Sequence, residues 1–147
     1  MRHCRYISCE DSDCPSIELE RNIEKDEFEV SVTIEYGDKI SEGVAIIDTG
    51  TGNSIFNEST IKRLNLHTEK VITVDSLGGL TYAGLHTVNM TINNKIHLKD
   101  HKVLSAKSIQ DNLIGMEVIR EGNLALFHNE DPPVYKFCIP SLKSNES

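Results

Sequence analysis

No stretch of this chain approaches the roughly 18 consecutive apolar residues that a bilayer-spanning helix needs, so a helical membrane protein is excluded. The opening segment, MRHCRYISCEDSDC, lacks the apolar core of a secretory signal peptide. The expected location is therefore cytoplasmic, with no membrane partner. Lys and Arg form no cluster that could track a phosphate backbone, and the net charge is -8, which argues against nucleic acid as a partner. No long repeat at a solenoid or propeller period is present. The six histidines, His3, His67, His86, His97, His101 and His128, make no H-E-x-x-H or other close ligand set, and read as surface or core residues. Neither a G-x-S-x-G elbow nor a phosphate loop occurs. No cofactor and no metal site is expected.

Cysteine is sparse: Cys4, Cys9, Cys14 and Cys138. The first three follow C-x4-C-x4-C beside His3, which is not the short paired spacing of a zinc ribbon or finger. They read as reduced thiols on a short N-terminal extension, residues 1–15. A zinc site there, and removal of the segment by self-processing, are the alternatives. Cys138 has no identifiable base beside it and is not read as a nucleophile.

What is present is a length for one domain, 147 residues, with 38% hydrophobic and 26% charged residues, as in a folded soluble protein. Apolar alternation dominates. Ile17, Leu19 and Ile23 sit on odd positions. Phe28, Val30, Val32 and Ile34 alternate with Glu29, Ser31, Thr33 and Glu35, a half-buried strand, and Lys25-Asp26 forms the turn before it. Val44 to Ile47 is apolar at every position and reads as a strand buried on both faces. Asn57 or Ser59 caps a short helix that turns Ile61 and Leu64 inward. Val71–Val74 and Thr81–Val88 flank Leu77-Gly78-Gly79, a hairpin with a glycine tip. Asn93-Asn94 joins a second hairpin, and Lys102–Ser105 is a further strand. Leu113 to Ile119 begins apolar and becomes helical, with Gly122 as a C-cap. Leu124–Phe127 and Val134–Ile139 are final strands, and residues 142–147 form a polar tail. The chain reads as mostly β with one or two short helices.

One stretch does not fit a structural role alone. Ala45-Ile46-Ile47 runs into Asp48-Thr49-Gly50-Thr51-Gly52. An apolar strand carries an acid into the molecule, and a glycine then permits a tight turn. Burying a carboxylate costs several kcal/mol unless it is bonded or neutralised, so such a position usually has a use.

Asp48-Thr49-Gly50 with Thr51 after it resembles the active-site loop of aspartic proteases. Leu113-Ile114-Gly115 resembles the hydrophobic-hydrophobic-glycine motif that supports that loop. LIGMEVIREGNLALF, from Leu113 to Phe127, and VYKFCIPS, from Val134 to Ser141, are similar to stretches of single-lobe, retropepsin-like proteins, particularly the bacterial gag-polyprotein-protease-like group. The resemblance covers about residues 28 to 141 of a domain spanning 16–141. Gly52 departs from it where retroviral enzymes usually carry an acid, and Cys138 where the bacterial group often has Arg.

The resemblance implies a single-lobe acid-protease β-barrel, an aspartic endopeptidase, and a peptide or protein substrate. With one Asp-Thr-Gly in the chain, it implies a C2 homodimer in which Asp48 comes from each subunit and Thr49 reaches across the axis. Thr51 would place its hydroxyl on the outer oxygen of Asp48. Leu77, Gly78, Gly79, Leu80 and Tyr82 would form the flap over the substrate, and Val134–Ile139 would interleave with the partner's terminal strand, the alternative being an edge strand packed on its own monomer. The alternative function is a catalytically weak, retropepsin-like peptide-binding or assembly module.

Overall fold

The computed structural model describes residues 16–76, 79–107 and 109–139. In chain order the elements are β1 (Ser16–Glu18), β2 (Glu20–Asn22), β3 (Glu27–Tyr36), β4 (Lys39–Ile47), β5 (Ile55–Asn57), α1 (Glu58–Leu64), β6 (Lys70–Ser76), β7 (Gly79–Ile92), β8 (Ile96–Ala106), β9 (Asn112–Ile114), α2 (Met116–Ile119), β10 (Asn123–Phe127) and β11 (Val134–Cys138). The cysteine-bearing extension, Leu77, Gly78 and the tail lie outside the described residues.

Eight strands form one sheet in the order β2-β3-β4-β9-β5-β8-β7-β6, and a further pairing of β3 with β7 closes it on itself. Closure removes the free edges of the six strands in the ring. Alternation then decides which side chains fill the interior. Val30, Val32 and Ile34 of β3, Ala45 and Ile47 of β4, Phe56, Met90, Ile92, Val103 and Ile114 are all buried in one cluster. The intervening Ser31 and Glu35 face outward.

Local chemistry sets the connections. Asp26, Asn93 and Asn94 take the left-handed conformation, as does Gly37, a region that Asn, Asp and Gly tolerate at turns. Asn57 caps α1 by accepting the Ser59 N–H, so it and not Ser59 is the cap. Ile61 and Leu64 then point inward, at 4% and 1% exposure. Val44 corrects the expectation of a strand buried throughout: it is 56% exposed. The face of β4 that carries Val44 is covered at Ile46 but not at Val44, and a run of apolar residues does not reveal that by itself. Gly122 is not the cap of α2, which is Arg120. It is instead a close-approach point, where a Cβ would lie 2.0 Å from the Cys138 carbonyl oxygen.

A second sheet has the order β1-β11-β10. Tyr135, Phe137 and Ile139 form the buried face of its centre, as alternation predicts. Both edges of β11 are occupied by strands of its own chain, so it has no free edge for a partner strand to enter. Cys138 is wholly buried and disulfide-bonded, so it offers no thiol.

Candidate active site

Asp48 follows the last residue of β4, and β9 fixes where it emerges. Ile46 and Ile47 pair in parallel with Leu113 and Ile114. The pairing continues one step further, with Asp48 N–H donating to the Ile114 carbonyl at 2.9 Å. The chain then turns within a few residues. Gly50 N–H donates to Asp48 Oδ1 at 2.8 Å, and a Cβ on Gly50 would lie 3.1 Å from that oxygen. Glycine here lets the backbone close on the carboxylate without crowding it.

The loop is held from below by the segment after β9. Met116 N–H donates to the Thr51 carbonyl at 2.9 Å, and Gly115 N–H donates to Ser54 Oγ at 3.0 Å. Gly115 is buried against the loop so closely that a Cβ would lie 2.5 Å from Asn53 C. Leu113, Ile114 and Gly115 therefore meet the Asp48 loop in space although they are more than 60 residues away in sequence. Thr51 acts through its carbonyl. Its hydroxyl donates to the Asn53 carbonyl at 3.1 Å, whereas the expected partner was Asp48, because the turn directs it along the loop.

Three residues of this support were not singled out in the sequence. Ser54, fully buried, passes its hydroxyl hydrogen to Glu117 Oε1 at 3.0 Å. Glu117 Oε2 meets His101 Nε2 at 2.7 Å. Both of those side chains are largely buried, where a charge-assisted bond is stronger than at the surface. Only the acid in the first turn after Leu113-Ile114-Gly115 could have hinted at Glu117; nothing local marks His101.

Asp48 itself is half-buried, and Thr49 and Gly50 are exposed. The strand delivers the carboxylate to the rim of the ring and does not enclose it, so the fully buried acid expected from the sequence is not seen in the single chain.

The hairpin of β6 and β7 stands beyond the ring, β6 being the last strand of its sheet. Gly79 pairs with Ser76, Leu80 with Asp75 and Tyr82 with Thr73. Leu80, Tyr82 and Val71 share one face and are 76%, 74% and 64% exposed. Ala83, on the other face, is 1% exposed. At the hairpin base, Lys102 Nζ lies 2.6 Å from Glu69 Oε1, and Thr87 also donates to that carboxylate. These hydrogen bonds, Lys102 first, hold Glu69 below the usual carboxylate range. Glu58 on α1 is lowered likewise by Lys62.

Among the described residues, no group of three or more His, Cys, Asp or Glu could hold a metal ion. No helix among them is long and apolar enough to cross a membrane.

Comparison with known proteins agrees with this architecture. A retropepsin-like aspartic protease from Rickettsia conorii has a similar fold, with a TM-score of 0.59 over 86% of this chain and 92% of that one, at 14% identity. No curated protein matches. The family model described as aspartyl protease matches residues 30–118, which run from β3 into α2 and include both the Asp48 loop and the Leu113-Ile114-Gly115 support. The chain belongs to the aspartyl protease family, with a retropepsin-like fold.

Proposed function

We propose that this protein is an aspartic endopeptidase that acts as a C2 homodimer, with Asp48 of each subunit facing one water. The observation that carries the reading is the clamp on the Asp48 loop. Its backbone is bonded at Asp48 and Thr51 to the segment around Gly115, so the carboxylate is fixed on a rigid element while its outer side stays open. That openness, together with exposed Thr49 and Gly50, suits a surface completed by a second copy.

In this mechanism one carboxylate is ionised and takes a proton from the water. The other is protonated and donates to the scissile carbonyl oxygen. Two carboxylates about 3 Å apart cannot both ionise readily, so the pair shares a proton. Thr49 bonds across the axis to the partner loop, and Gly50 leaves room for water and substrate. Thr51, Leu113, Ile114 and Gly115 support the loop. Leu77, Gly78, Gly79, Leu80 and Tyr82 form the flap, pairing with an extended peptide by strand addition. Because both edges of β11 are filled, a partner strand would meet the outer edge of β1 or β10.

Digestion of a peptide library by wild type and Asp48→Asn, alongside sedimentation of both, tests this. Cleavage that disappears in Asp48→Asn while the dimer persists is the expected result. A dimer that binds peptides but leaves them intact across acidic and neutral pH would identify a binding module instead.

A further inference from the structure

His86 and Ser105 lie outside the Asp48 loop, on adjacent strands β7 and β8 near the hairpin base. Both are buried, at 2% and 8% exposure. His86 Nδ1 is 3.0 Å from the His67 carbonyl oxygen, and its Nε2 is 2.7 Å from Ser105 Oγ. A carbonyl oxygen can only accept, so in this bond Nδ1 carries the proton. Nε2 of the neutral ring is then a lone pair, and the Ser105 hydroxyl donates to it. A hydroxyl, a base and a group that orients the base stand in line, the arrangement that activates an attacking oxygen.

Gly84, opposite Ser105 in the pairing of β7 with β8, lets the backbone pack directly against this pair. A Cβ at Gly84 would lie 3.0 Å from His86 Nε2 and 3.1 Å from Ser105 Oγ. Gly84, His86 and Ser105 also line a cavity of about 720 Å³ between α1 and the hairpin base, whose wall has an apolar part, Ile61 and Leu66, and a charged part, Glu58, Lys62 and Lys107. That volume suits a small organic ligand, and the apolar part of the wall suits an apolar chain. Neither Asp48 nor any other residue of its loop lines the cavity.

We propose that this cavity is a second reactive site, in which Ser105 accepts the acyl group of an apolar ester with His86 as general base. Ser105 Oγ forms a bond to the ester carbonyl carbon, and its proton passes to His86 Nε2. As the carbon–oxygen bond to the alcohol breaks, the imidazolium returns that proton to the departing oxygen. The products are acyl-Ser105 and the free alcohol, and His86 is again neutral. The His67 carbonyl holds the Nδ1 proton throughout and steadies the ring while it is charged.

The test is labelling of the full chain with an alkyl fluorophosphonate, which forms an oxygen–phosphorus bond at a reactive serine and expels fluoride, followed by peptide mass mapping. The expected result is an adduct at Ser105 that forms about 100-fold more slowly in His86→Gln, as for loss of a general base. Asp48→Asn should label at the wild-type rate, which separates this site from the aspartic reading. A nitrogen NMR measurement on the wild-type protein should show His86 protonated at Nδ1, independently of whether any variant folds. Labelling of Ser105 no faster than of other serines, an unchanged rate in folded His86→Gln, or a proton on Nε2 would each overturn the proposal.

Discussion

Replacing Gly115 with alanine should damage the protein more than any single methyl group added at the surface. A Cβ at this position would stand 2.5, 2.6 and 2.9 Å from the C, O and N atoms of Asn53. Those are backbone atoms, which cannot rotate away as a side chain would, so the two segments must separate. Overpacking of this kind costs about 1–3 kcal/mol. Separation also strains the bond from Gly115 N–H to Ser54 Oγ, worth about 1 kcal/mol. The sum, about 2–4 kcal/mol, corresponds to a fall in Tm on the order of 10 °C for a chain of this size. Since the same contact positions the Asp48 loop, a displacement of about 1 Å should reduce any peptidase activity roughly 100-fold. Gly52→Ala is the internal control, because nothing lies within 4 Å of its Cβ position. Thermal melting and urea titration of the two variants give the comparison. If Gly115→Ala melts within about 1 °C of Gly52→Ala, the contact with Asn53 does not hold the loop and the reasoning fails.

Other perturbations follow from the same geometry. Asn57→Ala removes the α1 cap and the side-chain bond to the Ile109 carbonyl, and should cost about 2 kcal/mol in urea denaturation. Leu80→Asp should leave Tm within about 1 °C, because the side chain is 76% exposed, yet lower peptide cleavage if the hairpin covers substrate; unchanged cleavage would remove Leu80 from the flap. Glu69 is held below its usual range by Lys102 and Thr87, so its contribution to stability is complete above the unfolded value and fades as pH falls through the folded one. The Tm difference between wild type and Glu69→Gln should therefore shrink between about pH 5 and 3, and a difference constant over that range would contradict the assignment.

The local features were legible because local rules decide them. Alternation placed the strands, a paired asparagine marked the turn at Asn93-Asn94, and Asn57 signalled a helix start. The two halves of the loop support were legible through resemblance, Asp48-Thr49-Gly50 to the aspartic protease loop and Leu113-Ile114-Gly115 to the motif that supports it; the close contact that demands glycine at 115 appears only in the fold. What escaped depends on distant neighbours. Val44 looked buried because periodicity counts apolar residues and does not say whether a second layer covers them. The hydroxyl of Thr51 was aimed at Asp48, but the local turn made the Asn53 carbonyl its acceptor. The strand β11 was expected to face a partner, and β1, more than 100 residues earlier, took that edge. His101 and His86 looked ordinary, because only tertiary pairing brings them to Glu117 and Ser105.

The position of β9 has a consequence for synthesis. The chain leaves β4, turns at Asp48 and returns as β5, but β9 lies between those two strands. Until residues 112–114 have left the ribosome, the ring has a gap and the turn has nothing to rest on. The nascent chain can form its early hairpins first, yet the carboxylate cannot reach its final setting before β9, more than 60 residues later, has been made. Insertion order thus delays maturation of the acid loop until the domain is nearly whole.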